Sequence, residues 1–328
     1  MSAAAPSVFR DLAITDLYIR LDGSAQAIYQ RQKRGRERSN AVVPDRYEKE
    51  IRQIAEFIRN QGLKEDSVLH VNGVRLRLAR QKMADGEDWI CLRVIKTQIP
   101  NLDKLGILPA YAGALRDLGH RDGLIMLTGA TGHGKTTTAV ALLAEYLKHH
   151  GGIAVTIEDP VEYVLKGRHE KGHCFQVEVS DDEEWAGAIK RSLRWAPHYL
   201  FVGEIRTPQA AEQVLRAATT GHLVMTTVHA GSPEEALMGL MHLAEQAMGG
   251  GSQLILAAGL TAVAHQQMTE TGPHMRMVVT EPNNMGDPVR ALIRENRVGM
   301  INTYIDKATA RLNLGERDLR AVKRPVSS

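Results

Sequence analysis

The sequence is poor in cysteine, in aromatic residues, in net charge and in long apolar runs. Two cysteines, Cys91 and Cys174, stand far apart in 328 residues, without the paired spacing of a metal site. That excludes a disulfide framework and fits a reducing compartment. Phe, Trp and Tyr together make up 5%, and the formal net charge is +3. Nucleic-acid binding therefore lacks its two usual supports, stacking aromatics and clustered cations. The longest apolar stretch, residues 254–264, is about half a membrane span and contains Gly259 and Thr261, so it reads as a buried helix. The first six residues lack the basic-then-apolar order of a signal peptide. The expectation is a cytoplasmic protein that meets any membrane machine peripherally.

What is present is ordinary globular material, 43% hydrophobic and 24% charged, with room for about two domains. Residues 1–100 read as a mixed α/β domain. Alternation predicts a strand over 16–22, and residues 47–59 place Ile51, Ile54, Phe57 and Ile58 on one helical face. Strands are expected over 70–78 and 89–94, with a turn at Asp85-Gly86. Residues 101–110 read as an inter-domain linker. Over 111–328, short apolar runs at 124–128, 153–157, 199–202 and 223–227 alternate with helical stretches at 135–149, 183–194, 208–219 and 233–247. That is the pattern of a doubly wound α/β domain with buried parallel strands.

The strongest chemical signal is Gly129-Ala130-Thr131-Gly132-His133-Gly134-Lys135-Thr136, a complete GxxxxGK[ST] between an apolar strand and a helix. Glycines let the backbone wrap so that its N–H groups and the helix N-terminus face phosphate oxygens. Lys135 then neutralises the β/γ-phosphates, the Thr136 hydroxyl ligates Mg²⁺, and Thr137 completes the nucleotide-binding set. The expected ligands are ATP and Mg²⁺. Three further elements follow in order. Ile157-Glu158-Asp159-Pro160-Val161-Glu162 places carboxylates at a strand end, facing the crevice of an open α/β sheet. One of them can deprotonate an attacking water, and Glu158 is a candidate metal ligand. Leu200-Phe201-Val202-Gly203-Glu204 resembles a Walker B strand, with Glu204 holding Mg²⁺ through water. Thr220 through His229 brackets a buried strand with His222 and His229, either of which can report a γ-phosphate or orient a carboxylate.

In this order the four elements resemble the PilT-like branch of the type II/type IV secretion ATPase superfamily. The match is close over about 123–296 and looser before it. The resemblance implies a PAS-like N-terminal domain followed by a RecA-like P-loop ATPase domain, a homo-hexamer, and an inner-membrane platform or secretion channel as partner. It places the presumed catalytic base on Glu162 and the Walker B acid on Glu204. His222 and His229 become the box histidines, and Arg77, Arg93, Arg194 and Arg206 the candidates for arginines that reach a nucleotide across a subunit boundary. Two segments point to different machines. His173 through Val179 looks like the DotB/TraJ type of type IVB secretion and conjugation, whereas Val289 through Glu295 looks like the AIRNLIRE element of retraction motors.

The rival reading is a RecA-like nucleic-acid translocase, which shares the P-loop but calls for a more basic, more aromatic channel. A non-catalytic ring component is disfavoured because Lys135, Thr136, Glu162 and Glu204 are all intact, and a P-loop kinase does not explain the acidic and histidine elements. The basic run 31–38 reads as a solvated loop, without interleaved aromatics to stack on bases. The charged tail after about Arg311 carries no assigned role.

Overall fold

The computed structural model describes residues 7–24, 26–32, 38–62 and 66–316. Most of the basic run, the first six residues and residues 317–328 lie outside them. The chain divides into two compact units, Met1–Thr97 and Gln98–Ser328.

The first unit begins with a short helix α1 (Val8–Asp11). Strands β1 (Asp16–Arg20), β2 (Ala27–Gln32) and β3 (Arg38–Val42) follow, then helix α2 (Glu48–Gln61) and strands β4 (Asp66–Val71), β5 (Val74–Lys82) and β6 (Asp88–Val94). The strands form one antiparallel sheet in the order β3-β2-β1-β6-β5-β4. Ile51, Ile54 and Ile58 of α2 are buried in one cluster with Leu17, Ile19, Leu76, Leu78, Ile90 and Leu92 from the sheet. Phe57, expected on that helical face, is exposed. The strand expected over 70–78 is a hairpin instead. Asn72 and Gly73, both at positive φ, turn the chain between β4 and β5, as an Asn-Gly pair between apolar runs favours.

In the second unit α3 (Pro109–Asp117) leads to β7 (Gly123–Thr128), α4 (Lys135–His149), β8 (Gly152–Glu158), β9 (Gly167–Arg168) and β10 (Gly172–Glu178). Then come α5 (Glu184–Leu193), β11 (Tyr199–Glu204), α6 (Pro208–Ala217), β12 (Leu223–Val228), α7 (Pro233–Met248) and α8 (Ser252–Gly259). Strands β13 (Leu260–Thr269) and β14 (Gly272–Val279) and helices α9 (Pro288–Arg294) and α10 (Asn302–Asn313) complete it. The sheet order is β14-β13-β7-β12-β11-β8-β10-β9, parallel from β13 to β10 and antiparallel at both edges.

β7 is buried at every residue, because helices cover both faces of a parallel sheet. One cluster joins Leu124 and Met126 of β7 to Ile189, Val214, Leu237 and Leu256 of α5 to α8. A second joins Ile125 and Leu127 to Leu115, Leu142 and Tyr146 of α3 and α4. The 101–110 segment belongs to that second cluster, through buried Leu102 and Ile107. The buried helix expected over 254–264 is corrected. The chain is helical only to Gly259 and extended from Leu260 onward. A five-residue apolar run fits either state by periodicity, and its alignment beside β7 decides for a strand.

Candidate nucleotide site

The parallel order brings the C-terminal ends of β7, β12, β11 and β8 to one edge, and each end carries a chemically active segment. After β7 the chain enters the glycine-rich loop. Gly129, Gly132 and Gly134 all have positive φ, and Gly134 caps α4. At Gly129 the reason is contact as well as conformation: a Cβ there would stand 2.3 Å from the carbonyl oxygen of Gln266.

Lys135 is buried. Its Nζ donates to the Ala130 carbonyl at 3.1 Å and lies 3.1 Å from Nδ1 of His229. Burial lowers its pKa, and the charges of Glu204 and Glu162 act in the other direction. A buried ammonium whose hydrogen-bond partners are neutral acceptors favours an anion beside it.

His229 Nδ1 also lies 3.3 Å from the Thr131 hydroxyl, and its Nε2 lies 3.7 Å from Glu204 Oε1. Because Nδ1 accepts from the lysine, the neutral tautomer carries its proton on Nε2, toward the glutamate. Burial and the Lys135 charge lower the pKa of this imidazole. Arg206 donates to Glu204 Oε2 at 3.0 and 3.1 Å and to Asp159 Oδ2 at 3.1 Å. It thereby ties the β11 acid to the strand end of β8.

Glu158 does not face outward as a metal ligand. It is buried, its Oε1 accepts from the Thr156 hydroxyl at 2.6 Å and from Gln176 Nε2 at 3.0 Å, and the Glu162 backbone N–H bonds its carboxylate. Burial pushes its pKa up to about 7. Glu162 itself is exposed on the following loop. Among the described residues no group of three or more His, Cys, Asp or Glu is arranged to hold a metal ion. The Thr136 hydroxyl on α4 and Glu204 at the end of β11 are oxygen donors of the kind Mg²⁺ takes beside phosphate oxygens.

Other expected residues lie elsewhere. His222 stands at the opposite end of β12, its Nδ1 2.7 Å from the Pro197 carbonyl, so it is separated from Lys135 by the length of the strand. Arg194 caps the C-terminus of α5 ahead of β11, again at that far edge, and is exposed. His133 turns inward: its ring bonds the Gln266 carbonyl at 3.2 Å and its own carbonyl accepts from Gln266 Nε2 at 2.6 Å. Thr137 Oγ1 is 3.0 Å from the Tyr163 hydroxyl. In the first unit Arg77 and Arg93 are cross-strand neighbours in register. Arg93 pairs with Asp16 at 2.6 Å.

Sequence reasoning missed Gln266, Gln176 and Tyr163, which hold this edge together. Gln266 also accepts from the Thr138 hydroxyl at 2.8 Å, so one buried amide braces both the loop and the first turn of α4. No short motif marks it. Its position follows only from β13 lying beside β7.

A family model described as "Type II/IV secretion system protein" matches residues 22–313. The chain belongs to this family. Among curated relatives, the Type IV pilus ATPase PilU of Pseudomonas aeruginosa is 34% identical over 224 residues, 66% of this chain and 56% of PilU. The competence protein ComGA of Bacillus subtilis is 34% identical over 174 residues, 53% of this chain and 48% of ComGA. The chain thus spans about half the length of these curated relatives. Among solved structures, the pilus retraction motor PilT with bound ADP superposes with a TM-score of 0.72 at 24% identity, over 96% of this chain and 95% of that one. The ATPase DotB of Legionella pneumophila gives 0.68 at 19% identity, over 95% and 91%. The superpositions show a shared fold, which in this chain comprises a mixed α/β first unit with an antiparallel sheet and an α/β second unit with a largely parallel sheet. Among the described residues no helix is long and apolar enough to cross a membrane.

Proposed function

We propose that this chain hydrolyses ATP as a ring-forming motor for a type II or type IV secretion, conjugation or pilus machine. The observation that carries the reading is the meeting of Lys135, His229, Glu204 and Arg206 at one sheet edge, beside the loop that bears Glu162. The family membership points the same way.

In this reading the backbone N–H groups of residues 129–136 and the N-terminus of α4 receive the phosphates. Lys135 exchanges its neutral partners, the Ala130 carbonyl and His229, for phosphate oxygen, and the released imidazole turns to the γ-phosphate. Glu162 accepts a proton from the water that attacks the γ-phosphorus. The bond from phosphorus to the β,γ-bridging oxygen breaks, and ADP and inorganic phosphate leave. The Thr136 hydroxyl and Glu204 would hold Mg²⁺, which would supply charge neutralisation to the phosphates. Arg206 holds Glu204 in place. Arg77 and Arg93 are the proposed contributors to a neighbouring subunit's nucleotide in a homo-hexamer, docked peripherally on an inner-membrane platform.

Purified chain is expected to release phosphate from ATP in a Mg²⁺-dependent way, and Lys135→Ala to lower ATP affinity by about 100-fold or more, the loss of a buried charge-assisted contact. Hydrolysis unaffected by Lys135→Ala would refute the assignment. DNA-stimulated turnover that falls steeply with salt would favour the translocase reading instead.

A further inference from the structure

Gln176 lies in the middle of β10, opposite Thr156 of β8 in register. Its side-chain amide is fully used. Nε2 donates to Glu158 Oε1 and to the Tyr163 carbonyl, both at 3.0 Å. Oε1 accepts from the backbone N–H groups of Leu165 at 2.7 Å and Lys166 at 2.8 Å. Two donors and two acceptors at this reach are what a glutamine offers: glutamate lacks the donors, and asparagine is one carbon shorter.

We propose that Gln176 is a positioning residue for hydrolysis, a clamp on the 159–166 loop that holds Glu162 at a fixed place relative to Lys135. The chain is pinned on both sides of Glu162. Ahead of it, Glu158 is held by Thr156 and Gln176 and bonds the Glu162 backbone N–H. Behind it, the Tyr163 carbonyl is held by Gln176 and the Tyr163 hydroxyl meets Thr137 in the first turn of α4. The Glu162 carboxylate is the part left exposed, near enough to Lys135 for its charge to bear on the lysine. The anchor is a strand paired in parallel with β8 along its whole length, so the loop inherits the rigidity of that pairing. The inference rests on Glu162 being the base, and a base carried on a loop depends on that loop's backbone staying in place.

The test is ATP hydrolysis, in steady state and in single turnovers of radiolabelled ATP, by full-length Gln176→Met, Gln176→Glu, Glu162→Gln and the double variant Gln176→Met/Glu162→Gln, with nucleotide affinity measured on each. Gln176→Met is expected to lower kcat by about 100-fold, the scale for a misplacement near 1 Å, and to leave the affinity for ATP within about threefold, since P-loop contacts are untouched. Gln176→Glu keeps the two acceptor bonds and falls in between. In the Glu162→Gln background, Gln176→Met adds less than about twofold, because two residues acting on one step do not add. Were Gln176→Met not to fold, Gln176→Glu decides by the same two comparisons.

The inference is overturned if the Gln176 variants keep kcat within about twofold of wild type, if affinity falls in parallel with kcat, or if the full loss persists in the Glu162→Gln background. Wild-type turnover by Glu162→Gln is a separate failure, that of the base assignment. Loss in Glu162→Gln with normal Gln176 variants removes the clamp alone.

Discussion

Gly129 and Gly132 sit three residues apart in one loop, both at positive φ, and the structure separates their fates. An alanine at Gly129 must adopt φ +144, a region costing an L-residue about 1–3 kcal/mol. Its Cβ would also stand 2.3 Å from the Gln266 carbonyl oxygen, and this neighbour is backbone in the middle of β13. Relief requires a shift of about 1 Å, which loosens the His133–Gln266 bonds at about 1 kcal/mol each. The total comes to about 3–5 kcal/mol. At Gly132, φ is +78 and nothing lies within 4 Å of the added carbon, so the cost is the conformational one, about 1 kcal/mol. For a unit of this size 1 kcal/mol moves Tm by about 2–4 °C. Thermal melts of nucleotide-free protein should therefore place Gly129→Ala about 6–20 °C below wild type and Gly132→Ala about 2–4 °C below it. Equal shifts for the two, or a Gly129→Ala protein as stable as wild type, would refute the claim that β13 is packed against the loop backbone.

Other expectations follow from the same edge. Glu158 binds its proton more tightly folded than unfolded, its pKa raised by burial from 4.5 to about 7. Stability should therefore fall as pH rises through that window, by at most about 3 kcal/mol at 1.36 kcal/mol per pH unit. Melts from pH 5 to pH 8 should show a flatter profile for Glu158→Gln than for wild type, and identical slopes would count against the buried carboxyl. Arg206→Ala breaks half-exposed ion pairs to Glu204 and Asp159. It should cost less than about 1 kcal/mol in unfolding experiments yet lower kcat about tenfold with ATP affinity unchanged, the signature of a contact that matters in the transition state. Tyr163→Phe removes the hydroxyl contact with Thr137. Stability should drop by about 1 kcal/mol, and kcat should fall more than affinity.

The residues that announced themselves in the sequence were those whose chemistry demands a type at a spacing. The P-loop glycines, Lys135 and the strand-end acid Glu204 left a linear trace because backbone curvature, charge and a strand terminus each demand a residue type at a spacing, whereas Glu158, expected as a metal ligand, is buried. The parallel strands were legible for the same reason, since burial on both faces makes continuous apolar runs. What the linear pattern could not carry was adjacency between segments far apart in the chain. Gln266 and Gln176 matter because β13 lies beside β7 and β10 beside β8, and a glutamine in a strand looks alike whether it clamps a loop or faces water. The roles of His222 and His229 divide on the same ground. Each brackets β12, but the strand carries one to the lysine and the other to the Pro197 carbonyl.

The most direct measurement is the fate of radiolabelled ATP on Glu162→Gln, beside wild type, with particle mass read on the same samples in Mg²⁺. The account predicts that the variant assembles as wild type does, into the closed ring proposed above. It should bind ATP with wild-type affinity and retain it as ATP while wild type releases ADP and phosphate. Hydrolysis by Glu162→Gln at the wild-type rate, or loss of ATP binding with retention of fold, would contradict it.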